Sequence, residues 1–221
     1  MAHILVVDDE PPFRELLRDV LEGAGHGVTE AEGFRVRLLD IDSATWSDLY
    51  DRVCNEALWF AHHAMFDPVY EPAWPVGWVG GPWEAYRRVN AAFAEVVAAD
   101  APHGAAVLIQ DYHLCLMAPT LRERRPDLRL VHFSHTPFAP QHALRMLPDE
   151  VRTDLLQGLA AHHACGFHSS RWQVDFRDCC SDAGVTPSAT FIAPLGPDLA
   201  DLQGTVARPA TQQALADLDA L

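Results

Sequence analysis

Long apolar runs are missing from this 221-residue chain; none approaches the roughly 18 residues that a membrane-crossing helix needs. Positive charge is scarce as well, with 16 Lys and Arg against 31 Asp and Glu and a net charge of -15. A field of that sign repels nucleic acid and anionic membrane at long range, so neither is an expected partner. A phosphorylated ligand has to be met by locally placed arginines instead. Disulfide and zinc patterns are lacking too. The five cysteines, Cys54, Cys115, Cys165 and the adjacent Cys179 and Cys180, are odd in number and have no C-x-x-C spacing, which points to reduced thiols. The opening MAHILVVDDE carries no basic leader or cleavage site, so a cytoplasmic location is the expectation.

Apolar residues make up 49% of the chain, enough for one substantial α/β core. The most informative stretch is 107–138, VLIQDYHLCLMAPTLRERRPDLRLVHFSHTPF, which reads as strand, helix, strand. The first strand, 105–109, stops at Gln110-Asp111-Tyr112-His113; the second, 128–133, stops at Ser134-His135-Thr136-Pro137. Between them Leu114, Met117, Ala118 and Leu121 recur at helical spacing, and Arg122, Arg124 and Arg125 follow where a helix C-terminus favours cations. In a parallel α/β sheet, ligands bind at the carboxyl ends of strands, where loops meet helix N-termini. Asp111 and His135 are therefore expected at the rim of one crevice, and Asp111 is expected to cap the following helix.

Elsewhere, residues 1–33 read as strand, helix, strand, with Phe13, Leu16, Leu17, Val20 and Leu21 as the helical stripe. Residues 34–42 read as a strand and Ser43 as the N-cap of a helix beginning near Thr45. On that helix Leu49, Val53, Ala57 and Phe60 form a core face flanked by Tyr50 and Trp59. The Pro-, Gly- and Trp-rich segment 67–83 is too broken for regular structure; its indoles either stack on sugars or anchor a long loop. A helix with Pro82 at its first position carries Trp83, Tyr86, Val89, Phe93, Val96 and Val97 on one face and reads as core without chemistry. A helix at 151–163, a strand at 164–168, a serine-capped helix at 170–180 and a strand at 190–192 follow, and 205–221 reads as a linker with one terminal helix. The doublets His62-His63 and His162-His163 lack chelating helical spacing, so no metal is assigned to them.

Four motifs, QDYHL, LRERRPDLRL, FSHTPF and GFHSS, resemble in order and spacing the acceptor-side N-terminal domain of the trehalose-6-phosphate synthase family of glycosyltransferases, over about residues 42–198. The resemblance implies an α/β, three-layer fold with a mostly parallel sheet, the Rossmann-like half of a GT-B glycosyltransferase, in residues 34–204. It implies retaining hexosyl transfer from a nucleotide-sugar donor to a sugar-phosphate acceptor without a cofactor, by positioning and electrostatics. Asp111 and His135 are then the catalytic and acceptor-binding pair. The Y-x-x-x-x-N-x-x-L-W arrangement from Tyr50 to Trp59 implies that the phenol meets a phosphate oxygen and the indole a sugar face. Arg145 in HALRMLP resembles the short helix beyond the family's acceptor loop and joins the substrate-binding set. Donor contacts in the family come mainly from a second domain, so the chain alone is expected to be an inactive acceptor half that needs a donor domain or partner chain. SHTPF and PLGPD depart from the usual HIPFP and P-I-G wording and are similar to pseudo-glycosyltransferases of the validoxylamine phosphate synthase type. An aminocyclitol phosphate therefore stands open as the acceptor.

The opening ILVVDDEPPFRELLRDVLEGAGHGV closely resembles the start of response-regulator receiver domains, in which an acidic pair like Asp8-Asp9 helps hold Mg²⁺ near a phosphorylatable aspartate. Asp40 in LLDID looks like that aspartate, but too few residues precede it for the intervening helix, and the later lysine-bearing strand is missing. The synthase family would open instead with its own strand and a Gly-rich loop. The expectation is a recombined chain whose residues 1–33 are a borrowed β-α-β unit completing the sheet. Asp8 and Asp9 remain weak Mg²⁺ candidates, and a signalling or scaffold module is the alternative from another class.

Overall fold

The computed structural model describes residues 4–6, 39–66, 74–196 and 198–219. Five parallel strands lie side by side in sequence order: β1 (Ile4–Val6), β2 (Ala106–Gln110), β3 (Arg129–Ser134), β4 (Ala164–Phe167) and β5 (Ala189–Ile192). The register pairs Val107 with Leu130, Ile109 with His132, His132 with Cys165, and Ser134 with Phe167. Side chains alternate along a strand, so these residues share one face, and every one of them is buried. The motif-bearing strands β2 and β3 are direct neighbours, which is what brings their loops together.

Helix α1 runs over 43–62 in three segments, Ser43–Ser47, Asp48–Leu58 and Trp59–His62. Its middle segment is wide: the Trp59 amide reaches back five residues to the Cys54 carbonyl. Helix α2 opens on another wide turn, Val79–Trp83, and continues as Glu84–Asp100. Then come α3 (Met117–Arg124), the short α4 (Gln141–Leu144), α5 (Asp149–Ala160), α6 (Ser170–Asp182), α7 (Leu199–Val206) and α8 (Pro209–Asp219). Below the β3–α4 connection, Phe138, Phe167 and Phe176 meet edge to face or tilted, with Phe138 5.2 Å from Phe176. All three are buried, and burying such a side chain stabilises by about 1.5–3 kcal/mol. The loop carrying His135 is thus fixed from beneath. The five cysteines are buried free thiols. Among the described residues no helix is long and apolar enough to cross a membrane.

Several local expectations change. Residues 39–42 are irregular, not strand, because Asp42 is used as the cap of α1 in place of Ser43. Its carboxylate accepts from the Thr45 amide at 3.0 Å and the Thr45 hydroxyl at 2.7 Å, a charge-assisted cap that a serine cannot match. Ser169, one residue before the expected cap, accepts from the Trp172 amide at the start of α6. Pro82 lies inside the wide opening turn of α2 and not at its first position. The tryptophans of this region that are described act as anchors: Trp78 and Trp83 are buried, Trp83 donates to Asp154 and Trp74 donates to the Met146 carbonyl. The terminal helix expected within 205–221 is α8, and a further helix, α7, precedes it.

Candidate functional site

The Asp111 amide donates to the Phe133 carbonyl at 2.8 Å, extending the β2–β3 pairing by one residue, so Asp111 and His135 leave the sheet from adjacent strand ends. Asp111 has φ 54° and ψ -173°, a backbone conformation that residues with a Cβ avoid. Such strain costs on the order of 1–3 kcal/mol and persists only where the surroundings over-determine it. Helix α2 supplies that constraint. Tyr86 donates its hydroxyl to the Tyr112 carbonyl at 2.6 Å and accepts from the Cys115 amide at 3.2 Å. Asn90 donates to the His113 carbonyl at 3.1 Å and accepts from the Leu116 amide at 2.8 Å. Both side chains are completely buried. Gly158 of α5 closes the clamp from outside: a Cβ there would meet the Cys115 carbonyl oxygen at 2.5 Å.

The clamp changes the role assigned to Asp111. Its side chain makes no capping bond to the Tyr112–Leu114 turn, because the strained backbone turns the carboxylate away. Instead Oδ1 accepts from the Thr136 hydroxyl at 2.8 Å and the Thr136 amide at 3.3 Å, tying the β2 loop to the β3 loop. Among the described residues Oδ2 has no hydrogen-bond partner. His135 Nε2 hydrogen-bonds the Gln110 side-chain amide at 2.8 Å. The ring lies against Phe133 and, at 5.5 Å, against His168 from the next strand end. His168 donates from Nδ1 to the Ala193 carbonyl at 3.2 Å.

Tyr50 and Trp59 join the same rim through the width of α1. At 100° per residue, nine residues would put them on opposite faces of an α-helix. A helix bonded i to i+5 turns by only about 80° per residue, and nine residues then come round to the same face. The rings confirm it: Tyr50 stacks on His113 at 6.0 Å and Trp59 meets Tyr112 edge-on at 6.4 Å, with Tyr112 and His113 stacked at 4.4 Å between them. Tyr50 and Trp59 are each a little over one third exposed, so this row has a solvent face. Burial lowers the pKa of His113, with Asp111 partly opposing the shift, and raises that of Tyr112, with Asp111 adding to it. Both shifts favour the uncharged forms of these two rings.

The structure brings Tyr50, Trp59, Asp111 and His135 together and leaves Arg145 apart. Arg145 follows α4 and forms a bidentate pair with Asp182 at the far end of α6, Nε to Oδ2 at 2.9 Å. Asp40 is exposed in an irregular segment, and Asp8 and Asp9 lie outside the described residues. His62 and His162 are buried, His62 accepting from the Ala139 amide, and His163 accepts from the Leu130 amide. Sequence reasoning missed Gln110, Tyr86, Asn90 and His168. The available signal for Asn90 was an amide inside an apolar helical stripe, four residues after a tyrosine.

The glycosyltransferase family 20 model matches residues 27–197, most of the chain. The chain belongs to glycosyltransferase family 20. The match begins inside the segment that resembles a receiver opening, so family 20 character reaches further back than the motifs indicated. The chain is 34% identical over 140 residues to a trehalose-6-phosphate synthase of Mycobacterium sp. strain KMS, covering 63% of this chain and 27% of that protein. It is 37% identical over 140 residues to the Mycobacterium tuberculosis trehalose-6-phosphate synthase, covering 63% and 25%. The E. coli trehalose-6-phosphate structure bound with UDP-2-fluoro glucose superposes with a TM-score of 0.69 at 21% identity, covering 99% of this chain and 54% of that one. The fold is thus the α/β half of a GT-B architecture, and the chain spans about a quarter of the length of these curated relatives.

Proposed function

We propose that this chain forms the acceptor-sugar side of a retaining hexosyl transfer of the trehalose-6-phosphate synthase type, from a nucleotide sugar to a sugar phosphate. The observation that carries the reading is the convergence of Asp111, His135, Tyr50 and Trp59 on one rim at the carboxyl ends of β2 and β3. A carboxylate with one oxygen available accepts sugar hydroxyls, and a partly exposed indole offers a flat surface to the ring. A fixed acceptor accelerates transfer by orientation. Retaining glycosidases use two carboxylates about 5 Å apart. Among the described residues bonded to or stacked in this rim Asp111 is the sole carboxylate, which supports transfer over double displacement. The acceptor phosphate and the donor diphosphate need cations, and with Arg145 held by Asp182 those come from outside the rim. In this reading the donor side belongs to a second domain or partner chain, and the chain alone binds without turnover.

Thr136 favours a second reading of the acceptor. Its hydroxyl occupies Asp111 Oδ1, where the HIPFP wording offers no side-chain donor. A carboxylate already holding one hydroxyl suits an acceptor that presents an ammonium group, as an aminocyclitol phosphate does. Calorimetric titration with glucose 6-phosphate and an aminocyclitol phosphate tests both. Heat from either that disappears in Asp111→Ala supports the acceptor rim, and the tighter of the two identifies the acceptor class. No heat from both, or heat unchanged in Asp111→Ala, refutes the reading.

A further inference from the structure

Tyr50 is a rim residue whose ring is exposed on one side, and among the described residues its hydroxyl has no hydrogen-bond partner. A partly exposed ring on a helix surface moves between staggered χ1 rotamers unless a neighbour forbids it. Trp46 is that neighbour. It stands four residues earlier on α1, the spacing at which side chains of an α-helix meet, and its ring lies 5.2 Å from that of Tyr50 with 10° between the planes. Tyr50 in turn meets His113 at 6.0 Å and 22°. The phenol thus has one near-parallel ring from its own helix and another from the loop after β2.

The backbone under Trp46 is anchored. The Asp42 carbonyl accepts from the Trp46 amide at 2.9 Å while the Asp42 carboxylate caps Thr45, so Trp46 sits in the capped first turn of α1, before the wide segment that begins at Asp48. Ser47 donates to Asp51 at 2.7 Å and Arg52 to Asp48 at 3.0 Å, bracing the join between the two windings. Trp46 itself is 46% exposed and belongs to neither hydrophobic core cluster, so core packing does not explain an indole at this position. What it does touch is Tyr50.

We infer that Trp46 is a positioning residue for the acceptor: its indole holds the Tyr50 phenol beside His113, with the hydroxyl in reach of the acceptor phosphate. The inference rests on the acceptor-rim reading of Tyr50 and adds to it the residue that keeps this phenol in one orientation. An aromatic pair of this kind shifts an equilibrium by a factor of about 2–10, which is the size of effect to be looked for.

Two measurements test it. Without ligand, the Tyr50 Hα–Hβ couplings read by NMR should report one χ1 rotamer in the native chain and in Trp46→Phe, and an averaged value in Trp46→Ala. In calorimetric titration with glucose 6-phosphate or an aminocyclitol phosphate, whichever binds, Trp46→Ala should weaken binding about fivefold and Trp46→Phe should restore most of it. In a Tyr50→Phe background Trp46→Ala should cost nothing further, because the hydroxyl that it would misplace is already gone. A loss caused only by a weaker helix would persist in that background. The inference is overturned if the couplings are the same in Trp46→Ala as in the native chain, or if the loss on Trp46→Ala is as large with Phe at position 50. It is also overturned if Trp46→Ala leaves binding unchanged while Tyr50→Phe weakens it. If the couplings average as expected but Tyr50→Phe binds like the native chain, or the native chain binds neither phosphate, the acceptor reading of Tyr50 has failed and the role of Trp46 in binding falls with it.

Discussion

The middle of the parallel sheet and its β5 edge are built on opposite terms. Where β2 and β3 end, each loop is held by buried groups from a neighbouring helix, and the strained Asp111 is kept in place by Tyr86 and Asn90. At β5 the sheet is thinly covered: Phe191 and Ile192 are exposed, as are Leu199, Leu202, Val206, Leu215 and Leu218 of α7 and α8. Since strand pairing is continuous across both regions, backbone hydrogen bonds do not make the difference. Side-chain burial and buried polar bonds do, and they are concentrated on the rim that carries the site.

Acid breaks this comparison most severely. His62 and His162 are buried, and desolvation lowers each to about 4 from 6.5; burial lowers His132 as well. A depressed histidine stabilises the fold fully above pH 6.5. Its contribution is lost as pH falls toward 4, because only the unfolded chain takes up the proton there. Each such group removes up to about 1.4 kcal/mol per pH unit, so His62 and His162 together remove several kcal/mol, comparable with a whole domain's stability. Chemical denaturation from pH 7 to pH 4.5 should show this fall, and His162→Phe should flatten it. A flat profile would mean these rings are not buried as described.

Replacing Asn90 by Leu is next in size. It leaves the His113 carbonyl and the Leu116 amide without partners and should cost about 3 kcal/mol, read as a lower urea midpoint. Gly158→Ala should cost about 1–3 kcal/mol, because its methyl collides with the Cys115 carbonyl. Both changes should weaken acceptor binding without touching a sugar. A far smaller effect, within about 0.5 kcal/mol, is expected for Leu202→Ala in the exposed helix α7, measured by the same denaturation. Equal losses at Asn90 and Leu202 would erase the distinction between the two regions.

The departure of Asp111 and His135 from adjacent strand ends was legible because it needs only one β-α-β unit: two short apolar runs, a helical spacing between them, and the pairing of consecutive parallel strands. The same periodicity located α2, α3, α5 and α6. What it does not encode is how a helix winds, so Tyr50 and Trp59 nine residues apart carried no sign that a widened turn would align them. Nor does it encode which buried polar group satisfies which loop. Asn90 went unremarked in a helix read as core, and it is the residue whose amide fixes the loop from His113 to Leu116. Competition decided the rest. Asp42 displaced Ser43 as a cap because a carboxylate is the stronger acceptor, and the guanidinium of Arg145 pairs with Asp182.

If Trp59 and Asp111 share one sugar-binding surface, the Trp59 indole N–H reports on it. On adding glucose 6-phosphate or an aminocyclitol phosphate, that signal should shift saturably in the native chain and stay still in Asp111→Asn. A Trp59 signal that stays still while other indoles move, or one that moves equally in Asp111→Asn, would contradict it.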